Sequence, residues 1–196
     1  ERGVEWIAVD TAQTLGMMPL DIGLMDVDVM GSSTHKWLQT PKGVSFAYIS
    51  ETMFEVMEPM WVSWGQKRWA GSARVYEDYG TRNLPQVVCM NACFDFHNQV
   101  EGDEREKYLK SLWKHAMNLA DEHPKTEWRS SREWELGGSL FAVGIIEEKA
   151  SELASRVFDS HGIVVRPFDA AELNSIRVSP NLMNTKEELE TLFSLI

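Results

Sequence analysis

The chain has 196 residues, 43% of them hydrophobic and 25% charged, enough for one or two domains with cores of their own. Its formal net charge of −11 argues against a nucleic-acid or anionic-membrane partner. No stretch approaches the ~18 apolar residues that a membrane span needs, and Glu1 opens no signal-peptide pattern, so the cytoplasm is the default compartment.

In chain order, Val4 to Val9 reads as a buried strand and Val27 to Met30 as the next, joined by an irregular crossover holding Pro19 and Gly23. Gly31-Ser32-Ser33-Thr34-His35-Lys36-Trp37 follows, and then Pro41 and Gly43 turn the chain into a further strand, Val44 to Ile49. Lys36 therefore lies on a tight connection between two strands expected to be buried. Ser50 can cap a helix that starts with Glu51 and ends at Pro59. Trp61, Trp64, Trp69 and Tyr76 come next; such aromatic density suits a local core or a subunit interface, and the reading leans to the interface.

From Pro85 the pattern is helical, with Val88, Ala92, Cys93 and Phe96 as one buried stripe. Cys89 and Cys93, the only cysteines, imply no disulfide framework and read as core thiols on one helix face. The charged run from Glu101 to Lys107 then leads into a second stripe, Leu109, Leu112, Trp113, Ala116 and Leu119. The domain boundary is placed there, giving domains 1–101 and 102–196. The second domain reads as a strand (Ser139 to Ile146), a helix (Glu147 to Ser160, with Leu153, Val157 and Phe158 inward) and two strands (Ile163 to Arg166 and Ser175 to Val178). A last helix is capped by Thr185.

Chemistry concentrates in the first domain. The strand around Val9 ends on Asp10, with Gln13 three residues on, and ligands of parallel sheets sit beyond the carboxyl ends of strands. A lysine, an acid that can hold a pyridine nitrogen protonated, and hydroxyls with an imidazole for a phosphate form the set that amine–carbonyl cofactor chemistry needs. The Asp10-x-x-Gln13 pair and the Ser33-x-His35-Lys36 run resemble the class V aminotransferases, pyridoxal-phosphate (PLP) enzymes of fold type I. The nearest branch is that of cysteine desulfurases, selenocysteine lyases and isopenicillin N epimerase-like proteins. Gly80-Thr81-Arg82 and Ile176-Arg177-Val178-Ser179 are similar to two further motifs of that family.

The resemblance implies an α/β fold: the C-terminal part of the large PLP-binding domain, followed by the small α+β domain. It implies that Lys36 forms the internal aldimine and shuttles the alpha proton, that Asp10 pairs with the ring nitrogen, and that Gln13 bonds the ring hydroxyl. Ser33 and His35 would hold the phosphate, joined by Thr81 from across a homodimer interface. Arg177 would clamp the carboxylate of an amino-acid substrate, while Arg166 would line the mouth or cap the sheet edge. The five histidines lack the close spacing of a zinc site, so no metal is expected. The family also implies a segment ahead of Glu1 that nothing here matches, so the chain is expected to be a piece that binds PLP weakly by itself.

The reaction stays open among epimerisation, transamination and carbon–sulfur cleavage. Desulfurases carry a nucleophilic cysteine on a mobile loop ahead of the C-terminal arginine, and the matching stretch here, Arg166 to Asn174, has none. No enzyme-bound persulfide is therefore expected, although a desulfurase or selenocysteine lyase is the alternative reading. A non-catalytic partner subunit of the same fold is a third.

Overall fold

The structure, a computed structural model, describes residues 3–170 and 172–196. Glu1, Arg2 and Ala171, the last within the loop read as lacking a cysteine, lie outside the described residues. The chain forms two compact units, Glu1–Val100 and Glu101–Ile196.

The first unit is built on a three-stranded sheet of order β1-β2-β3, with β1 at Ala8–Asp10, β2 at Val29–Ser33 and β3 at Ser45–Ile49. β1 and β2 run parallel and β2 and β3 antiparallel, in a register that sets Asp10 beside Gly31 and Ser33 beside Ser45. Short helices follow: α1 at Gly65–Arg68, α2 at Leu84–Val88 and α3 at Met90–His97. The buried apolar set is small, with Met17, Met30, Trp37, Leu38, Val44 and Met53.

Several expectations for this unit are corrected. Val4 to Val9 is not a buried strand; only Ala8–Asp10 pairs, and Val4, Trp6 and Ile7 are exposed. β3 is likewise exposed over its first three residues. An apolar run becomes a buried strand only where layers cover both its faces, and the described residues supply little such cover here. The helix after Ser50 is a 3₁₀ turn, Glu51–Glu55, and the Ser50 hydroxyl bonds that of Thr52 rather than a backbone N–H. The helix from Pro85 is interrupted at Cys89, which keeps helical dihedrals, into α2 and α3, and its apolar stripe is left largely uncovered. Val88, Ala92 and Phe96 are exposed, Cys89 is an exposed thiol, and Cys93 is half-buried.

The second unit is a four-stranded antiparallel sheet with three helices on one face. Its elements are α4 (Gly102–Glu122), β4 (Thr126–Trp128), β5 (Phe141–Ile145), α5 (Ala150–His161), β6 (Arg166–Phe168), β7 (Ser175–Val178) and α6 (Lys186–Ser194), in sheet order β4-β5-β7-β6. Alternation does the sorting: Phe141, Val143, Ile145, Ile176 and Val178 face inward, against Leu109, Leu112, Trp113 and Ala116 of α4 and their counterparts Leu153, Val157, Leu189 and Leu192 on α5 and α6. The Trp113 ring meets Trp128 and Trp134 edge-on.

The stops of the two later helices follow from sequence. Gly162 ends α5 with φ +67°, its N–H bonding Phe158 O, as a glycine in the left-handed region does. Thr185 and Glu188 close a reciprocal capping box at the start of α6. Three details differ: β4 has no counterpart in the sequence reading, Phe158 is exposed, and the strand read at Ile163 to Arg166 begins only at Arg166, with Val164 exposed. The interior at that edge is filled from β7, so the apolar Ile-Val-Val run serves as an entry to β6 rather than as the strand. Among the described residues, no helix is long and apolar enough to cross a membrane.

Candidate functional site

β1 and β2 end side by side because they are parallel, and the first unit's chemistry gathers at those ends. Beyond Asp10 the chain stays tied to β2. Thr11 N–H donates to Gly31 O at 2.8 Å, the buried Thr11 hydroxyl donates to the same oxygen at 3.2 Å, and Ser32 Oγ donates back to Thr11 O at 3.2 Å. Asp10 Oδ1 accepts from Ala12 N–H at 2.8 Å, which fixes the carboxylate in a local turn and leaves its other oxygen with no donor among the described residues. Asp10 itself is exposed.

Gln13 is oriented by a residue that sequence reasoning missed. The indole Nε1–H of Trp37, a buried ring, donates to Gln13 Oε1 at 3.1 Å. With its oxygen occupied, the amide offers its NH₂, a donor with no partner among the described residues. Gly16 holds the same segment close: at φ +89°, a Cβ there would stand 2.9 Å from Leu38 Cγ, so only glycine fits.

Lys36 sits on the hydrogen-bonded turn after β2, where Gln39 N–H donates to Lys36 O and Thr40 N–H to Thr34 O. Beneath that turn, the buried hydroxyls of Thr34 and Thr40 lie 2.7 Å apart and Thr34 Oγ1 donates to Val44 O at 2.9 Å. Gln39 takes φ +58°, an unusual conformation for a side chain other than glycine. The turn is therefore rigid underneath and open above. Lys36 is exposed and forms no ion pair among the described residues, so the connection between strands expected to be buried leaves its ammonium at the surface.

An open cleft of about 700 Å³ runs over these strand ends, lined among others by Asp10, Gly31, Ser33, Lys36 and Phe46. The structure thus brings Asp10, Ser33 and Lys36 to one cavity, with Gln13 on the segment that leaves it. His35 is exposed on the Lys36 turn and does not line the cleft. Neither does Thr81, which is exposed after Gly80 at φ +131°.

The remaining candidates belong to the second unit. Arg166 on β6 and Arg177 on β7 are directly opposite in the register. Their side chains share the sheet face away from the helices, since Ile176 and Val178 fill the other. Arg177 Nε is buried without a hydrogen-bond partner. The loop from Asp169 to Asn174 that joins these strands is anchored at both ends to the start of α5: Asp169 Oδ1 accepts from Ser151 N–H at 2.8 Å, and Asn174 Oδ1 from Ala150 N–H at 3.0 Å. Arg129 adds a third tie, donating to Glu172 O at 2.9 Å and to Leu173 O. Asp169 is held below the usual carboxylate range by the hydrogen bonds from Ser151. Arg129 and Asn174 carried no motif, so only the folded loop singles them out.

Trp37 and the Thr34–Thr40 pair were visible in sequence only as neighbours of Lys36. Signals for their roles are weak, because an indole and two threonines read equally well as turn or core.

Residues 4–192 match the family model for Aminotransferase class-V. The chain is 25% identical over 214 residues to a probable cysteine desulfurase of Pyrococcus abyssi, covering 100% of this chain and 52% of that protein. It is also 25% identical over 195 residues to an aminotransferase of Bacillus subtilis, YcbU, covering 96% and 50%. Among solved structures, a cysteine desulfurase from Thermococcus onnurineus NA1 superposes with TM-score 0.83 at 21% identity, covering 97% of this chain and 51% of that one. The cystine C-S lyase C-DES, in complex with its product cysteine persulfide, superposes with TM-score 0.80 at 21% identity, covering 93% and 49%. The chain therefore spans about half the length of the relatives it matches, and it shares the fold of the parts it covers.

Proposed function

We propose, on the premise that this chain belongs to the aminotransferase class-V family, that it is the lysine-bearing part of a PLP enzyme acting at the alpha carbon of an amino acid. The observation that carries this reading is the meeting of Asp10, Ser33 and Lys36 in one cleft at the ends of parallel β1 and β2.

The donor set fits the cofactor. Asp10 keeps one carboxylate oxygen for a ring nitrogen, and Gln13, its own oxygen taken by Trp37, keeps an N–H for a ring oxygen. Ser33 offers a hydroxyl to a phosphate within the cleft, His35 would add an imidazole from the adjoining turn, and Lys36 offers an exposed amine. When bound, PLP supplies an electron sink for charge developing at the substrate's alpha carbon. In this reading Asp10 keeps the ring nitrogen protonated, and Lys36 binds the cofactor covalently and moves the alpha proton. Gln13 and the turn beneath Lys36 fix the geometry. Arg177 takes the substrate carboxylate through the paired N–H groups that lysine lacks, and Thr81 completes a phosphate site in a homodimer.

The relatives' names favour carbon–sulfur cleavage as the reaction. The loop from Asp169 to Asn174 has no cysteine and is tied down at three points, so cleavage here would proceed by direct elimination rather than through a protein persulfide. Transamination and epimerisation use the same residues.

The test is a screen of amino acids against the full-length protein, following visible absorption and released product. A visible band that borohydride abolishes, altered by at least one amino acid, is the expected result. A protein with no such band would instead be the non-catalytic partner.

A further inference from the structure

We propose that Arg166 and Arg177 form a two-guanidinium site for a dianion, and that the preferred substrate is an amino acid with a second carboxylate. This rests on the reading of Arg177 as the carboxylate-binding residue and adds the substrate class.

Three observations carry it. First, the two arginines are direct cross-strand partners on adjacent antiparallel strands. Like charges in that position repel, since opposed side chains start about 5 Å apart. Second, nothing among the described residues neutralises them: neither side chain forms an ion pair or hydrogen bond, although the chain carries a net charge of −11. The nearby acids are already engaged. Glu127, on the same sheet face, is held by Arg129 Nε at 3.1 Å and Nη2 at 3.0 Å, and Asp169 is taken by the start of α5. Third, the residues next to the pair in the sheet are small or apolar. Arg177 is flanked on its other side by Ala142, the neighbouring row holds Ser175 and Phe168, and the charges beyond them at Gly144, those of Arg129 and Glu127, are paired with each other.

The two surroundings differ, and that difference assigns the roles. Arg177 is half-buried, and no group among the described residues accepts a hydrogen bond from its side chain, so a carboxylate at the part of the guanidinium that solvent reaches would give it the partner the protein does not. That suits the group every amino acid carries. Arg166 is exposed on the edge strand β6, where a second, variable group can be reached from solvent. A single carboxylate would leave one cation uncompensated, whereas a dicarboxylate matches both.

Isothermal titration of the full-length protein with succinate and with propionate tests the pair without any amine chemistry. Succinate should bind at least tenfold more tightly than propionate. In Arg166→Ala, with Arg166→Gln as a second variant of similar length, the succinate-to-propionate preference should fall close to one. Equal affinities in the unaltered protein would overturn the proposal. So would an Arg166→Ala effect that weakens both ligands in the same proportion, since both arginines would then serve one carboxylate. Glutamate against alanine, followed by visible absorption, separates the two levels. No response to either amino acid refutes the enzymatic reading, while equal responses refute only the dicarboxylate preference.

Discussion

Arg129 passes over the backbone of Gly144, where a Cβ would meet Nε well inside contact distance and Cδ at 3.1 Å. The glycine leaves the room through which that guanidinium reaches Glu172 O and Leu173 O on the far loop. Gly144→Ala should therefore displace Arg129 and cost about 1 kcal/mol, the scale of a hydrogen bond to a partly exposed charged group. Urea unfolding of the single variants and of the double variant with Arg129→Ala checks the cause. In the double variant the alanine at 144 should cost almost nothing more, and full additivity would show that Arg129 is not the reason glycine is required.

Lys36→Ala should abolish covalent attachment of PLP to the full-length protein without loss of fold. Its side chain is exposed and holds nothing in place, so far-UV circular dichroism should stay unchanged. Intact mass after borohydride reduction gives the answer. A retained cofactor adduct would move the assignment to another lysine.

Trp37→Phe keeps a large apolar ring and removes the N–H that holds Gln13. The expected outcome is a stability loss of about 1 kcal/mol from the missing bond, with weaker PLP retention from the unfixed amide. Trp37→Ala adds a cavity and should cost about 3–5 kcal/mol. If Trp37→Phe binds PLP as tightly as the parent, the indole has no part in orienting Gln13.

Much of the second unit was legible before folding, and the reason is periodicity. The stripe at Leu109, Leu112, Trp113 and Ala116 recurs at helical spacing, and all four are buried. Thr185 with Glu188, and Gly162 after His161, are local signals that need no tertiary context. The first unit read less well because its signals are not local. Whether Trp6, Ile7, Val88 or Phe96 is buried depends on what lies against it, and an apolar residue states a preference without naming a partner. Within the site, Lys36, Asp10 and Ser33 stood in motifs. Trp37 and Arg129 act at sequence distances of 24 and 43–44 residues, which no spacing rule reaches.

Asp169 should give stability a pH dependence in acid. Hydrogen bonds from Ser151 lower its folded pKa below the unfolded value. Its contribution is therefore fully present above the ordinary aspartate range, about pH 4, and is lost as pH falls through the lower folded value. Urea midpoints measured from about pH 5 to 2 should drop more in the parent than in Asp169→Asn. Parallel curves would mean that this carboxylate contributes nothing at the start of α5.

No persulfide should form on this protein. Incubation of the full-length protein with cysteine, followed by intact mass, should show no added sulfur on Cys89 or Cys93. Cys89 is an exposed thiol and will react with alkylating reagents, which makes the measurement a fair one. A sulfur adduct, lost together with sulfur transfer in the matching Cys→Ser variant, would restore the desulfurase reading.

Pro167 has a consequence beyond the site. It sits at the centre of β6, the edge strand of the second unit's sheet, and brings no N–H to that edge. A foreign strand arriving there finds a gap in the ladder it would need to copy, so the border resists growth into a fibril. β3 of the first unit, an edge strand among the described residues, contains no proline over Ser45–Ile49. Under partial denaturation, intermolecular sheet should therefore begin at the first unit, and solubility would be engineered there.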